Sequence, residues 1–194
     1  MAKIESSFKN MVIVLFLVSF VSSATLGFVY ELTKEPIAQA KLKKELEAIS
    51  AVVPQFDNDP YSEMYKVATA EGDSLEFYPA KKGGELVGIA VKTFTNEGFS
   101  GEIKIMVGFN SEGAIHNISV LEHKETPGLG DKMDKAKSEW STQFNGVNPE
   151  TTNIAVTKDG GEIDAITAAT ISSRAFVDAV QRAHDAFMNN KQKN

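Results

Sequence analysis

Four hydroxyl side chains, Thr167, Thr170, Ser172 and Ser173, crowd into the stretch from Asp164 to Ser173, interleaved with small residues such as Ala165, Ala168 and Ala169. Small side chains leave a backbone open to close approach, and a hydroxyl there can cap a helix, contact a ligand or be modified. A helical pattern follows at once, with Phe176, Val180, Ala183 and Phe187 recurring on one face. The first turn of such a helix offers unpaired N–H groups and a positive dipole end, which suits an anion. Arg174 stands in that turn as an available cation. These residues fit phosphate handling, but ordinary helix capping is the simpler account and the one that residue types alone favour.

Other chemistries find less support. His116, His123 and His184 are isolated and form no ligand pair at helical spacing, so no metal centre is expected. There is no Gly-x-Ser-x-Gly elbow and no Walker-type phosphate loop. Asp57, Asp59 and Glu63 lack the glycine and distal glutamate of a calcium loop and read as a solvated turn. The absence of cysteine excludes disulfides, thiolate-held clusters, cysteine nucleophiles and lipoprotein acylation. A net charge of −6 argues against nucleic acid as a partner. A second loop, His123 to Gly130, brackets Leu129 with glycines, which suits a backbone passing close to a flat or bulky group; a plain turn is the alternative.

These loops need elements to position them. Met11 to Tyr30 is free of charge over twenty residues, about the length that spans a bilayer. With Lys3 and Lys9 ahead of it, the segment 1–10 is expected in the cytoplasm and the rest of the chain outside. A cleaved signal peptide ending at Ser22-Ser23-Ala24 is the competing reading. A juxtamembrane helix is expected over 31–54, with Pro36 in its first turn, and an outer domain over 55–194. In that domain, Ser74–Ala80 with Leu86–Phe94 and Gly101–Phe109 with Ala114–Leu121 read as two hairpins. Asp131 is expected to cap a helix in which Met133, Ala136, Trp140 and Phe144 share a face, Trp140 being a core side chain. Ile154–Val156 reads as a short strand, and a polar tail is expected from Asn189 to Asn194. The fold class is α+β: an antiparallel-rich sheet with packed helices behind one transmembrane helix.

The Asp164–Ser173 stretch resembles the flavin-attachment motif of the FMN-binding domain family, Asp-x-x-Ser/Thr-Gly-Ala-Thr-x-Ser/Thr. In that family a flavin transferase, using FAD and magnesium, esterifies the threonine through the phosphate of FMN. Asp164, Thr167, Ala169, Thr170 and Ser172 match, while Ala168 adds a methyl group where the family has glycine. Glu125-Thr126-Pro127-Gly128-Leu129-Gly130-Asp131-Lys132 is similar to the family's flavin-side loop. The resemblance implies Thr170 as the covalent attachment point and Asp164 as a transferase-recognition residue. It implies Thr167, Ala169, Ser172 and Ser173 beside the phosphate, and Glu125, Thr126, Gly128, Leu129 and Gly130 against the ring. No catalytic side chain is implied.

With its single span and short outer domain, the chain resembles the branch of this family formed by the G subunits of the Rnf complex. That complex is an ion-translocating ferredoxin:NAD oxidoreductase coupled to sodium or proton transport. The related branch, the C subunits of the sodium-pumping NADH:quinone reductase, shares the motifs. The implied role is electron transfer in the cell membrane. The implied partners are other membrane subunits, membrane lipid and, during maturation, the transferase. A flavin-free, membrane-anchored assembly module is the competing function.

Overall fold

The computed structural model describes residues 7–69 and 72–191. Lys3, one of the two charges expected in the cytoplasm, and the last three residues of the polar tail lie outside the described residues. The chain divides into two compact units, Met1–Lys43 and Lys44–Asn194.

One helix, α1 (Phe8–Val52), runs where a span and a separate juxtamembrane helix were expected. Pro36 lies inside it rather than in a first turn. Proline removes only the bond to the Leu32 carbonyl, and the strong helix formers after it (Ala38, Gln39, Ala40, Lys41, Leu42) carry the helix on. In the first unit the apolar window of α1 has a mean hydropathy of 2.4 and none of it is buried, so the helix is long and apolar enough to cross a membrane. Thr25 and Thr33 donate their hydroxyls to the Val21 and Val29 carbonyls, both at 2.8 Å, which satisfies them without water.

The second unit is built on an antiparallel meander, β1 (Tyr65–Ala68), β2 (Ser74–Lys82), β3 (Glu85–Gly98), β4 (Gly101–Phe109) and β5 (Ile115–Glu122), in spatial order 1-2-3-4-5. Both expected hairpins form, and β1, too short to stand out in the sequence, adds an edge. Gly83 and Gly84 take φ of 59° and 87° in the β2–β3 turn, the primed geometry that matches strand twist. Asp57, Asp59 and Glu63 have separate tasks: Asp57 accepts the Gly83 N–H, Asp59 accepts the Tyr61 N–H, and Glu63 pairs with Lys81.

Each face of the sheet is covered. Phe77, Val91, Ile103, Ile105, Val107 and Phe109 pack with Phe176, Val180, Ala183 and Phe187 of a C-terminal helix, α2 (Thr170–Lys191). On the opposite face Tyr78, Ala80, Ala90 and Met106 receive Ala48, Ile49 and Val52 from the end of α1. That second contact is close: a Cβ on Gly108 would lie 1.7 Å from the Val52 carbonyl oxygen. Beside it Lys92 bridges Glu45 and Glu76, each at 2.9 Å, with the Tyr78 hydroxyl hydrogen-bonded to Glu45 and 3.0 Å from Glu76.

The helix expected over 131–144 is absent. Two 3-10 turns, Gly130–Met133 and Trp140–Phe144, stand in its place. Asp134 leaves the helical region and accepts the Ala136 N–H at 2.9 Å, and Ser138 accepts the Trp140 N–H at 3.0 Å. These side chains offer the backbone an alternative to the helical ladder. Met133 and Phe144 are still buried, Ala136 is exposed, and Trp140 packs on Phe144 and Phe176. Asp131 sits within the first turn, whose cap position, Leu129, makes no side-chain bond. The strand expected at Ile154–Val156 reduces to one parallel bridge, Val156 to Ile163. α2 extends through Lys191, beyond the expected start of the polar tail.

Because both faces of the sheet are covered, Gly108→Ala should cost about 2–3 kcal/mol by overpacking against α1, read as a lower urea midpoint of Trp140 fluorescence. Acid should act at the Lys92 cluster. Burial, the largest single influence, raises the Glu76 carboxyl, but the hydrogen bond and charge of Lys92, the Tyr78 hydroxyl and Lys66 together outweigh it and hold the group below its ordinary 4.5. Burial lowers Lys92, but Glu45 and Glu76 outweigh it and hold the ammonium above 10.5. A depressed carboxyl stabilises above its unfolded value and loses that contribution as pH falls through the folded one. Stability should therefore drop on acidification below 4.5. Glu76→Gln should flatten that part of the pH profile in the same fluorescence assay.

Candidate functional site

The chain enters the site along Asp164. Trp140 Nε1 donates to the Asp164 carbonyl at 2.6 Å and the Asp164 N–H donates to Gln143 Oε1 at 2.8 Å, leaving the residue itself exposed. Ile166 to Ala169 then form a β-turn closed by the Ala169 N–H on the Ile166 carbonyl at 3.0 Å. Ala168, third in the turn, has φ of 61°, the one positive φ outside glycine among the described residues. That is type II geometry, which favours glycine at this position. The methyl group that Ala168 adds thus has a cost inside the fold itself. Ser173 Oγ clips the turn, accepting the Ile166 N–H at 2.9 Å and donating to the Ala169 carbonyl at 3.0 Å. Ile166 and Ala169 are buried, Thr167 and Ala168 are exposed, and Thr170 begins α2 half-buried.

The second loop repeats the geometry. Thr126-Pro127-Gly128-Leu129 is closed by the Leu129 N–H on the Thr126 carbonyl at 3.1 Å, with Gly128 at φ 79°. Proline second and glycine third is the preferred type II pairing. Behind this turn Glu125 is 5% exposed. Its backbone N–H donates to His123 Nδ1 at 3.1 Å, its Oε1 accepts the Ser100 N–H at 2.9 Å, and its Oε2 accepts the Ser172 hydroxyl at 2.5 Å. Gly130 has no room for a side chain, since a Cβ would lie 2.6 Å from Ser172 Oγ and 2.7 Å from Glu125 Oε2.

The two turns meet at a cavity of about 310 Å³ lined by Phe99, Glu125, Thr126, Leu129, Gly130 and residues 168–172. Phe99, Leu129 and Ile171 are 68%, 39% and 48% exposed, so the rim is apolar and open. Apolar walls beside exposed peptide groups suit a flat aromatic ring with polar edges, and the volume is at the small end for a ligand pocket, enough for part of such a group. Thr170 lies on the same lining.

The polar groups near Thr170 differ from those expected. Ser172 and Ser173 are 2% and 0% exposed and turn inward to Glu125 and the Ile166–Ala169 turn, so neither hydroxyl presents itself to a phosphate. Arg174 is held by Asp159, with Nε and Nη2 each 2.7 Å from a carboxylate oxygen. The Arg174 hydrogen bond keeps the Asp159 carboxyl below its ordinary value, and Asp159 keeps the guanidinium above its own. The cation at Thr170 is Lys158, whose Nζ donates to Thr170 Oγ1 at 3.0 Å. Lys158 and Phe99 both escape a reading of the sequence. Lys158 is hidden in what reads as a plain Lys-Asp-Gly-Gly turn; the signal for Phe99 is a large aromatic in the two-residue link between Gly98 and Gly101.

Replacing Ala168 by glycine should relieve the left-handed backbone, which costs an L-residue about 1–2 kcal/mol. Glycine's greater freedom in the unfolded chain offsets about half of that. Ala168→Gly should therefore raise stability by about 0.5–1 kcal/mol, measured as a higher urea midpoint.

Comparison with known proteins agrees with this geometry. Residues 98–185 match the FMN-binding domain family, a stretch that includes both turns, Phe99, Lys158 and Thr170. The chain is 38% identical over 187 residues to the G subunit of the ion-translocating oxidoreductase complex of Aliivibrio fischeri ES114, covering 92% of this chain and 89% of that protein. It is 39% identical over 158 residues to the G subunit from Stutzerimonas stutzeri, covering 79% and 69% of the two chains. For the G subunit from Shewanella piezotolerans the identity is 34% over 186 residues, covering 91% and 88%. With both turns of the cavity inside the FMN-binding match and the likeness running through most of each relative, the chain belongs to the family of G subunits of ion-translocating oxidoreductase complexes.

Proposed function

We propose that this chain is the electron-transfer subunit of an Rnf-type ion-translocating oxidoreductase and carries FMN as a phosphoester on Thr170. The observation that supports the reading most is the meeting of two type II turns, each from one of the recognised motifs, at a single apolar-rimmed cavity with Thr170 on its lining. The names of its relatives put such subunits in a redox complex that moves ions. The apolar stretch of α1 fits a membrane anchor. The N-terminus lies in the cytoplasm, and the second unit on the outer face of the cell membrane, beside the other membrane subunits and lipid. A flavin transferase recognises Asp164 during maturation.

Bound FMN supplies one-electron chemistry; the chain supplies placement. Leu129, Phe99 and Ile171 cover apolar ring surface, and the peptide groups of Leu129, Gly130, Ala168 and Ala169 on the same lining meet polar edges. A covalent tether keeps a cofactor on an outer face from diffusing away and fixes its distance to neighbouring redox groups. No complete reaction occurs on this chain by itself.

After expression with its transferase, the chain should run as a fluorescent band on a denaturing gel. The tryptic peptide ending at Arg174 should carry the mass of a flavin phosphoester. Thr170→Ala should abolish the band and Thr167→Ala should leave it; fluorescence persisting in Thr170→Ala refutes the attachment point.

A further inference from the structure

Two consecutive residues of one turn reach two residues one helical turn apart on α2: Lys158 Nζ donates to Thr170 Oγ1 at 3.0 Å, and Asp159 grips Arg174 through two contacts of 2.7 Å. We infer that the turn Thr157–Gly160 is a positioning device that sets the Lys158 ammonium on Thr170 Oγ1, readying it to accept a flavin phosphoryl group and then neutralising the phosphodiester formed. This inference rests on the reading of Thr170 as the attachment residue.

The turn is built for a fixed position. The Thr157 N–H donates to the Ile163 carbonyl at 2.8 Å and the Asp159 N–H to the Val156 carbonyl at 2.8 Å. Gly160 closes it at φ 85°, and a Cβ on Gly161 would lie 1.9 Å from the Ala155 carbonyl oxygen, so the backbone returns along its own incoming strand. Because Thr170 and Arg174 stand four residues apart, they share one face of α2. The Asp159–Arg174 pair is exposed and adds little stability; its effect is to register the turn against the helix and to withdraw Arg174 from Thr170.

The contact also orients the hydroxyl. An ammonium only donates, so Thr170 Oγ1 accepts through a lone pair and its own hydrogen is left to another acceptor. Deeper in helices the hydroxyls of Thr25, Thr33 and Ser173 donate to the carbonyl four residues back. Thr170, as the first residue of α2, makes no such bond among the described residues. Its hydrogen is therefore available to a base of the transferase.

In the transfer, Thr170 Oγ1 forms a bond to the flavin-side phosphorus of FAD, the pyrophosphate P–O bond breaks, AMP leaves with the bridging oxygen, and the hydroxyl proton passes to the transferase base. No oxidation or reduction occurs. Negative charge that develops on Oγ1 in this step falls beside Lys158, and the product diester, with one negative charge, finds the same ammonium as counter-ion.

The test uses the full chain in detergent with purified transferase, FAD and magnesium, following the initial rate of in-gel fluorescence. Lys158→Ala should label about tenfold more slowly, a modest loss for a donor at a reacting oxygen because the site is exposed and screened. Lys158→Arg should recover most of the rate, with both melting temperatures unchanged. The wild-type advantage over alanine should shrink as salt is raised. Wild-type speed in Lys158→Ala, no rescue by arginine, or an advantage indifferent to salt overturns the inference while leaving Thr170 as the acceptor. Failure of the wild-type chain to label at Thr170 overturns both.

Discussion

The buried carboxylate of Glu125 is the interaction on which the site depends. It joins three segments remote in sequence: the Phe99–Ser100 link through the Ser100 amide, its own loop, and the first turn of α2 through Ser172. An acidic group taken out of water is tolerated where donors replace the solvent, and removing those donors would leave a charge that the interior cannot screen. The contact therefore constrains everything near it. Gly130 has no side chain because Glu125 and Ser172 occupy the space, and Ser172 is turned inward because the carboxylate needs its proton. The cavity wall is thus held from behind by polar bonds, which leaves its front to apolar side chains and peptide edges.

The sheet provides the platform. With α2 on one face and the end of α1 on the other, the central strands bury both sets of alternating side chains, and the Ile105–Phe109 segment is buried without interruption. A doubly covered sheet resists bending, so loops at its margins keep their spacing. The cavity draws on that rigidity: one wall follows β5 directly and the other is the N-terminal turn of the helix packed across β3 and β4.

Much of this was legible in the residues. The hairpins showed as alternation between glycine-rich turns, and the stripe Phe176, Val180, Ala183 and Phe187 marked α2 with its buried face. Spacing misled where short side chains bond to the backbone: Met133, Trp140 and Phe144 repeat at helical intervals, yet Asp134 and Ser138 capture the amides that a helix would need. At Pro36 the error ran the other way, because one lost hydrogen bond does not stop a run of good helix formers. The two loops of the site were visible as motifs. Their shared turn type was not, because a left-handed residue shows itself in sequence only as glycine, and Ala168 hides it. Lys158 was invisible for a different reason. Its partner is twelve residues away, and nothing local marks that it, rather than Arg174, reaches the threonine.

The strands of the meander lie in space in the order in which they occur along the chain, and α2 comes after all of them. A chain emerging from its N-terminus therefore completes the sheet and the Glu125–Gly130 loop while the partner wall of the cavity is still unmade. Ser172, which answers the Glu125 carboxylate, arrives in the same helical turn as Thr170. The Thr170 hydroxyl and the contact that closes the cavity beside it are thus synthesised together, and an incomplete chain presents neither.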